Sequence, residues 1–490
     1  MARRARPPAL SVEAMEPETL YRAVASRDRR FEGRFVVAVT STGIYCRPGC
    51  PARTPKRANV RFYRHPAAAE SDGFRACFRC RPDAALWMGT SATVKRALQL
   101  IDAGALGDGN LARLAERLGV GDRHLRRLFA AHVGTSPLAV AQTRRAHFAR
   151  QLLDDTALPL GEIAFAAGFG SLRRFNAGIR RAFGRTPSEL RARDRQSADA
   201  TLTLALPFRA PYAWAQLLQF LAARAIPGVE SLELSDRGGS GGVYRRTTPD
   251  GEVIEVRAAE RQLLVTLPSA RGLRDHVGRV RRMFDLGADP LAIADVLGRD
   301  RALAPMLRAG PGLRVPGGWD GFELAVRAIL GQQISVARAT VLAGKLVAAW
   351  GTPLPSPVAG LTHAFPAAVT IAAAGPDVVA RTVGMPRARG VAIATLARAV
   401  ADGTLALDGS LELDRLVEQL LTLPGIGPWT AHYLAMRLGE PDAFPAGDLW
   451  LRRALDPTGL AERALLARAE AWRPFRAYAA MHLWNKEVQP

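Results

Sequence analysis

Residues 423–455 read LPGIGPWTAHYLAMRLGEPDAFPAGDLWLRRAL, and the reading of the chain turns on this stretch. An apolar helix end runs into Pro-Gly-Ile-Gly, a second helix carries Trp429 and Tyr433, a Pro/Gly turn follows, and Asp448 stands where a third helix begins. Gly425 and Gly427 flank one apolar residue, so the backbone can turn tightly and present N–H groups as an anion nest ahead of a helix N-terminus. Phosphate suits such a nest. Trp429 and Tyr433 lie four apart and share a helix face, and aromatic planes suit a stacked base, above all a cationic one. A lone PGIG also fits a helix corner and a lone Asp an N-cap; the three together point to chemistry on nucleic acid.

Composition agrees. A chain of 490 residues is too long for one core, and two to four domains are expected. Lys+Arg 67 against Asp+Glu 45 gives a net charge of +22, with a sequence pI near 11.1, which favours a polyanionic partner such as DNA. No apolar run approaches the roughly 18 residues of a membrane span, so no membrane partner is expected. The opening MARRARPPAL has charge without a following apolar segment, unlike a signal peptide. The expectation is a soluble, cytoplasmic, nucleoid-associated protein.

All four cysteines fall between residues 46 and 80. Cys46 and Cys50 form a C-x3-C pair and Cys77 and Cys80 a C-x2-C pair, a spacing that suits one tetrahedral zinc ion rather than disulfides. Arg47, Arg53, Arg57, Arg75, Arg79, Arg81 and Lys56 crowd the pairs. A zinc tetrathiolate keeps negative charge on sulfur, so it can be structural or nucleophilic, and nearby cations can hold DNA phosphate against it. The run FVVAVTSTGIYCRPGC, the NVRFY strand and the GFRACFRCRPD close resemble the Ada methylphosphotriester-sensing domain. That resemblance implies that Cys46 accepts a methyl group stoichiometrically, and that losing a negative charge there raises affinity for DNA. No cysteine follows Cys80, so the second methyl-accepting domain of full-length Ada proteins is not expected.

An approximate duplication follows. LARLAERLGVGDRHLRRLFAAHVGTSP from Leu111 is echoed by LGEIAFAAGFGSLRRFNAGIRRAFGRTP from Leu160, each an apolar helix, a Gly turn, a basic helix and a Gly-x-x-Pro exit. The second helix of each copy is the candidate major-groove reader, with Arg123, His124, Arg126 and Arg127 in the first and Ser171, Arg173, Arg174 and Asn176 in the second. Leu125, Leu128, Phe129, Phe175, Ile179 and Phe183 recur at helical spacing and read as core. Thr186, Pro187 and Glu189 form a capping box with proline at N1. The segment resembles the AraC-type DNA-binding domain, which implies promoter DNA and, for a transcription regulator, RNA polymerase as partners.

After the polar RDRQSADA, five alternating segments (TLTLALPFR, VESLELSD, GGVYRRTT, GEVIEVRA, RQLLVTLP) and the amphipathic YAWAQLLQFLAARA predict an antiparallel sheet with one covering helix. Nothing there has catalytic spacing. WDGFELAVRAILGQQISVARATVLAGKLVAAW then opens a helical domain, with Asp320 and Glu323 as a capping box and Gln332, Gln333 and Ser335 at a break between helices. The fold class expected is multidomain and mainly α. It comprises a small α+β zinc domain (1–90), a double helix-turn-helix (91–195), an antiparallel α+β domain (196–310) and an all-α domain (311–490).

The order of the last two domains and the 423–455 block closely resemble the AlkA-type DNA-3-methyladenine glycosylases of the helix-hairpin-helix superfamily. The resemblance implies Asp448 as the catalytic carboxylate, Trp429, Tyr433 and Trp484 as walls of the lesion-base pocket, and the Gln332–Ser335 junction as its rim, with Gln333 as the wedge into the duplex. Strand-cutting relatives place a lysine where Trp429 stands, so a monofunctional enzyme without a cofactor for the glycosylase step is expected, and Trp472 is read as packing. The function so implied is excision of alkylated purines fused to a methylation-sensing regulator. The alternative, a regulator whose C-terminal half only binds DNA, has to explain an intact Asp448 and aromatic set.

Overall fold

The computed structural model describes residues 16–28, 31–77, 79–80, 82, 91–107, 109–191, 201–234, 241–358 and 360–485; Arg81 lies outside them. The described residues up to 150, with 169–190, form one compact unit, and 151–168, with those beyond 190, form another.

In the first unit, β1 (Val36–Val39), β2 (Ile44–Cys46), β3 (Val60–Tyr63) and β4 (Arg75–Ala76) make a sheet of order β3-β1-β2-β4, with only β2 and β4 parallel. The two-residue period of a strand sends Phe35 and Val37 to one face, packed with Leu20 and Val24 of helix Pro17–Ala25, and Val36 and Ala38 to the other, packed with Ala69 and Phe74. Both faces are therefore covered. Ala67, from the helix Pro66–Ser71, packs into the same core as Ile101, Leu125 and Phe129 of the following helices. The helices Leu111–Arg117 and Asp122–His132 are joined through Gly119 at φ +67°, where a side chain would be strained. Leu125, Phe129, Phe175 and Ile179 are buried as their spacing predicts, and Phe183 packs its ring on His147. The capping box at Pro187 is reciprocal: Thr186 N–H donates to Glu189 at 2.7 Å, and Glu189 N–H to Thr186 Oγ1 at 3.3 Å.

In the second unit, β5 (Leu202–Pro207), β6 (Glu230–Leu234), β7 (Gly242–Thr247), β8 (Val253–Ala259) and β9 (Gln262–Leu267) form an antiparallel sheet of order β5-β9-β8-β7-β6. Helix Trp214–Ala222 packs on β6 and β7. The helical part is centred on Gly321–Leu330, which is buried along nearly its whole length and contacts helices Val336–Trp350, Arg387–Ala401 and Pro428–Arg437.

One expected local motif is different. Asp320 caps this central helix, accepting from the backbone N–H of Phe322 (2.9 Å) and Glu323 (3.2 Å), but Glu323 does not reach back to complete a capping box. It is buried and instead accepts from Arg246 of β7 at 2.9 Å and from Arg327 at 3.2 Å. A buried carboxylate demands charged partners, and that demand outweighs one exposed backbone bond. Among the described residues no helix is long and apolar enough to cross a membrane.

Candidate functional site

The four thiols of the first unit converge. Cys46 ends β2, and Cys77 N–H donates to the Tyr45 carbonyl at 3.0 Å, which brings the second pair beside the first. All four sulfurs lie within 4.8 Å of one another. A tetrahedral zinc ion with bonds of about 2.3 Å sets its sulfurs about 3.8 Å apart, so the donor set fits that metal. Cys50, Cys77 and Cys80 are buried and Cys46 is half-buried, the most accessible sulfur of the four. Of the surrounding cations, Arg47 is tied to Glu32 at 2.6 Å and Arg57 lies over Tyr21 and Phe62, whereas Arg53, Lys56, Arg75 and Arg79 are exposed.

On the helix Asp122–His132 the side chains of Arg123, His124, Arg126 and Arg127 are exposed, and on Leu172–Phe183 so are Arg173, Arg174 and Asn176. Ser171 is engaged locally: as N-cap its Oγ accepts from Arg174 N–H at 3.3 Å.

In the second unit, Asp448 caps the helix Leu449–Leu455. Its Oδ1 accepts from the backbone N–H groups of Trp450 (2.9 Å) and Leu451 (3.0 Å) and from Trp484 Nε1 (3.1 Å), and its Oδ2 accepts from Trp429 Nε1 (2.8 Å). The cap and the aromatic wall thus meet on one carboxylate, which is only 8% exposed. Trp429 and Tyr433 lie on the helix Pro428–Arg437 with ring centroids 5.1 Å apart and planes 7° from parallel. The Trp484 ring stands 6.3 Å from Tyr433, tilted by 59°. Tyr433 and Trp484 thus meet as a corner rather than as parallel plates.

Gly425 has φ +79°, and a Cβ there would meet Ala392 at 3.0 Å; Gly427 is extended, caps the helix, and has open space where a Cβ would stand. Gln332 turns inward, its Nε2 donating to the Gly425 carbonyl at 2.8 Å and to Thr430 Oγ1 at 3.1 Å, while its own carbonyl accepts from Arg389 at 2.7 Å. It ties the junction to the hairpin. Gln333 is exposed and holds φ +56°, a left-handed conformation unusual for a residue with a side chain. Ser335 caps the next helix through Arg338 N–H at 3.2 Å. Trp472 is fully buried and donates to Asp300 at 2.9 Å, a packing role.

Sequence spacing did not reach Arg437, one turn beyond Tyr433, which is 5% exposed and donates to the phenol oxygen at 2.5 Å. Tyr433 is held below the ordinary phenol range. Burial alone would raise it, and the Arg437, Arg224 and Arg327 guanidiniums overcome that.

Comparison with known proteins matches four successive parts of the chain. The metal-binding domain of Ada matches residues 19–83, a helix-turn-helix domain 114–193, the AlkA N-terminal domain 203–320, and the HhH-GPD superfamily of base excision DNA repair proteins 326–476. A probable bifunctional transcriptional activator/DNA repair enzyme AlkA of Mycobacterium tuberculosis is 45% identical over 491 residues, covering 96% of this chain and 97% of its own. The chain belongs to this family. Within the AlkA-type bifunctional family, the two parts also align separately with different proteins. DNA-3-methyladenine glycosylase 2 of Escherichia coli is 35% identical over 58% of this chain and 96% of its own. The bifunctional transcriptional activator/DNA repair enzyme Ada of the same organism is 38% identical over 27% of this chain and 37% of its own.

Proposed function

We propose that the second unit excises alkylated purines of the 3-methyladenine and 7-methylguanine type from double-stranded DNA by hydrolysing the N-glycosidic bond, with Asp448 as its catalytic residue. The observation that carries this reading is the convergence of two indole N–H groups and a helix N-terminus on one carboxylate beside a stacked aromatic wall. A purine methylated at N3 or N7 is already cationic, so it can leave without a general acid. The C1′–N bond breaks, its electron pair leaves with the base and cancels the charge, and Asp448 stabilises the oxocarbenium ion at C1′. Water then adds to C1′, a proton passes to solvent, and free base and an abasic site result. Gly425 and Gly427 present backbone to a phosphate, and Gln333 fills the space that the flipped nucleotide leaves. With an indole at residue 429 in place of a lysine, no Schiff base forms and the strand is not cut.

The first unit, in the same proposal, reports alkylation. A bound zinc ion would keep the four sulfurs as thiolates. The Cys46 sulfur forms a bond to the methyl carbon of a methylphosphotriester as the carbon–oxygen bond breaks, and the phosphodiester anion departs. Arg53, Lys56, Arg75 and Arg79 hold the backbone against it. The modified protein then binds promoter DNA through the two basic helices and engages RNA polymerase.

Release of free 3-methyladenine from alkylated DNA tests the first part. Asp448→Asn should lower the single-turnover rate by about 10²–10³-fold, and an unchanged rate would remove Asp448 from the chemistry. Peptide mass after exposure to methylphosphotriester DNA tests the second. One methyl on Cys46 is expected, and an unmodified peptide would leave the cysteine site purely structural.

A further inference from the structure

Behind the aromatic wall lies a cluster of buried charge that nothing in the hydrolysis requires. Glu230 of β6 and Glu323 of the central helix are 6% and 2% exposed, and Arg246 and Arg327 serve them: Arg246 to Glu323 at 2.9 Å, Arg327 to Glu230 at 2.8 Å and to Glu323 at 3.2 Å. Two further guanidiniums join from other elements. Arg437 donates to the Tyr433 phenol at 2.5 Å and to the carbonyls of Pro316 and Gly317, and Arg224, which follows helix Trp214–Ala222, lies 3.8 Å over the Phe220 ring with its charge acting on the same phenol. Among the described residues no ion pair to a carboxylate involves Arg224 or Arg437; both carboxylates are engaged by Arg246 and Arg327. Four guanidiniums therefore face two carboxylates. Unmatched buried positive charge is costly, and the group placed to cancel it is the phenol oxygen of Tyr433.

We propose that Tyr433 acts as an anion in the lesion pocket, its phenolate held by Arg437 and its electron-rich ring supplying the counter-charge against which a flipped, positively charged base docks. The proton leaves the phenol for water. The inference rests on the reading of Trp429, Tyr433 and Trp484 as the lesion pocket. A phenolate spreads part of its charge into the ring, so the attraction that any aromatic face offers a cation is strengthened at the face the base would meet. A neutral base gains nothing from that charge, which makes Tyr433 a specificity-determining residue for alkylated over undamaged purines. Burial opposes this state, and three guanidiniums outweigh it: Arg437 on its own helix, Arg224 after helix Trp214–Ala222 and Arg327 on the central helix. Of the acids nearby, Asp448 is occupied by four N–H donors and Glu230 and Glu323 by Arg246 and Arg327. Desolvation in turn lowers Arg224 and Arg437, which an anionic Tyr433 opposes.

Ultraviolet titration of the full-length protein near 295 nm reads the phenolate without any assay of activity. The chain has seven tyrosines, and burial pushes Tyr212, Tyr244 and Tyr478 well above the ordinary phenol range, so the earliest phenol to ionise should be Tyr433. That early step should vanish in Tyr433→Phe and move to higher pH in Arg437→Gln. In the same pH range, single-turnover release of 3-methyladenine should rise with pH in the wild type and run flat, about tenfold lower at its upper end, in Tyr433→Phe. Absence of the early phenol overturns the proposal. An early phenol with identical release profiles in wild type and Tyr433→Phe also overturns it, and Trp484→Ala and Asp448→Asn then tell whether the pocket itself lies elsewhere.

Discussion

The cysteine centre of the first unit and the carboxylate pocket of the second are built in opposite ways. The first gathers four ligands from 35 consecutive residues onto the ends of two neighbouring strands, and its fit to a metal follows from spacing alone. The second draws on residues from 224 to 484 and on six separate elements, and two indoles and a helix N-terminus converge on its Asp448. A metal lets a small domain hold reactive side chains with a modest core, whereas a site assembled from distant segments needs a large, charge-paired interior behind it.

Metal removal should separate the two most sharply. Chelation takes away a binding free energy on the order of 10 kcal/mol from the cysteine centre. The first unit should lose its tertiary structure around β1–β4, followed by limited proteolysis, while release of 3-methyladenine stays within about twofold. Loss of base release on chelation would mean that the glycosylase half depends on the metal after all.

The reverse disruption is Glu323→Ala. It takes the 2.9 Å partner from Arg246, leaving it only Glu230 at 4.0 Å, and one of two carboxylates from Arg327, and breaking a buried pair costs about 3–5 kcal/mol. Denaturant unfolding should show the second unit weakened and the first unchanged, with zinc content intact. Glu323→Gln, which keeps volume and hydrogen bonds, should cost less than the alanine.

The difference in construction also explains what could be read from the sequence. Cys46, Cys50, Cys77 and Cys80, the five strands of the second sheet, the duplicated helix pairs, the reciprocal cap at Thr186 and Glu189, and the Trp429–Tyr433 face all depend on short-range spacing, and each is found where that spacing puts it. Glu323 was misread because a carboxylate three residues after Asp320 looks like a capping partner, and only the fold brings Arg246 across from β7. Arg437 and Arg224 carry no signal at all, since the role proposed for them depends on having no carboxylate partner among the described residues, which only the fold shows. Gln332 had the right neighbourhood, but its amide bridges to Gly425 and Thr430 within the protein.

Acid should weaken both units through the same device. Burial, helped by the Arg144 charge, pushes His65 of the first unit down to about 3, and burial pushes His482 of the second down to about 4. Both lie below the ordinary histidine value of 6.5. The unfolded chain therefore takes up the proton first as pH falls: the stabilisation is complete above about 6.5 and declines below it, until each folded pKa is passed. By pH 5 each histidine should have cost its unit about 2 kcal/mol. His482→Gln, which cannot titrate, should flatten the pH dependence of the second unit between pH 6.5 and 4 and leave that of the first as it was. If the slope of the second unit is unchanged, its acid sensitivity comes from other groups.

The smallest expected effect lies at the rim of the pocket and runs in two directions. Gln333 holds φ +56° on an exposed turn, and a left-handed conformation costs a residue with a Cβ roughly 1–2 kcal/mol. Glycine avoids that cost but loses more backbone entropy on folding, so Gln333→Gly should stabilise the second unit by at most about 1 kcal/mol. The same change removes the side chain proposed to enter the duplex, so base release should fall even as the midpoint of thermal unfolding rises. Gln333→Leu keeps the strain and a side chain of similar reach, and should leave stability unchanged while retaining activity. A glycine variant that is less stable than wild type would show that the left-handed turn is not strained. One that is more stable and equally active would show that the turn is strained for some reason other than delivering Gln333 to DNA.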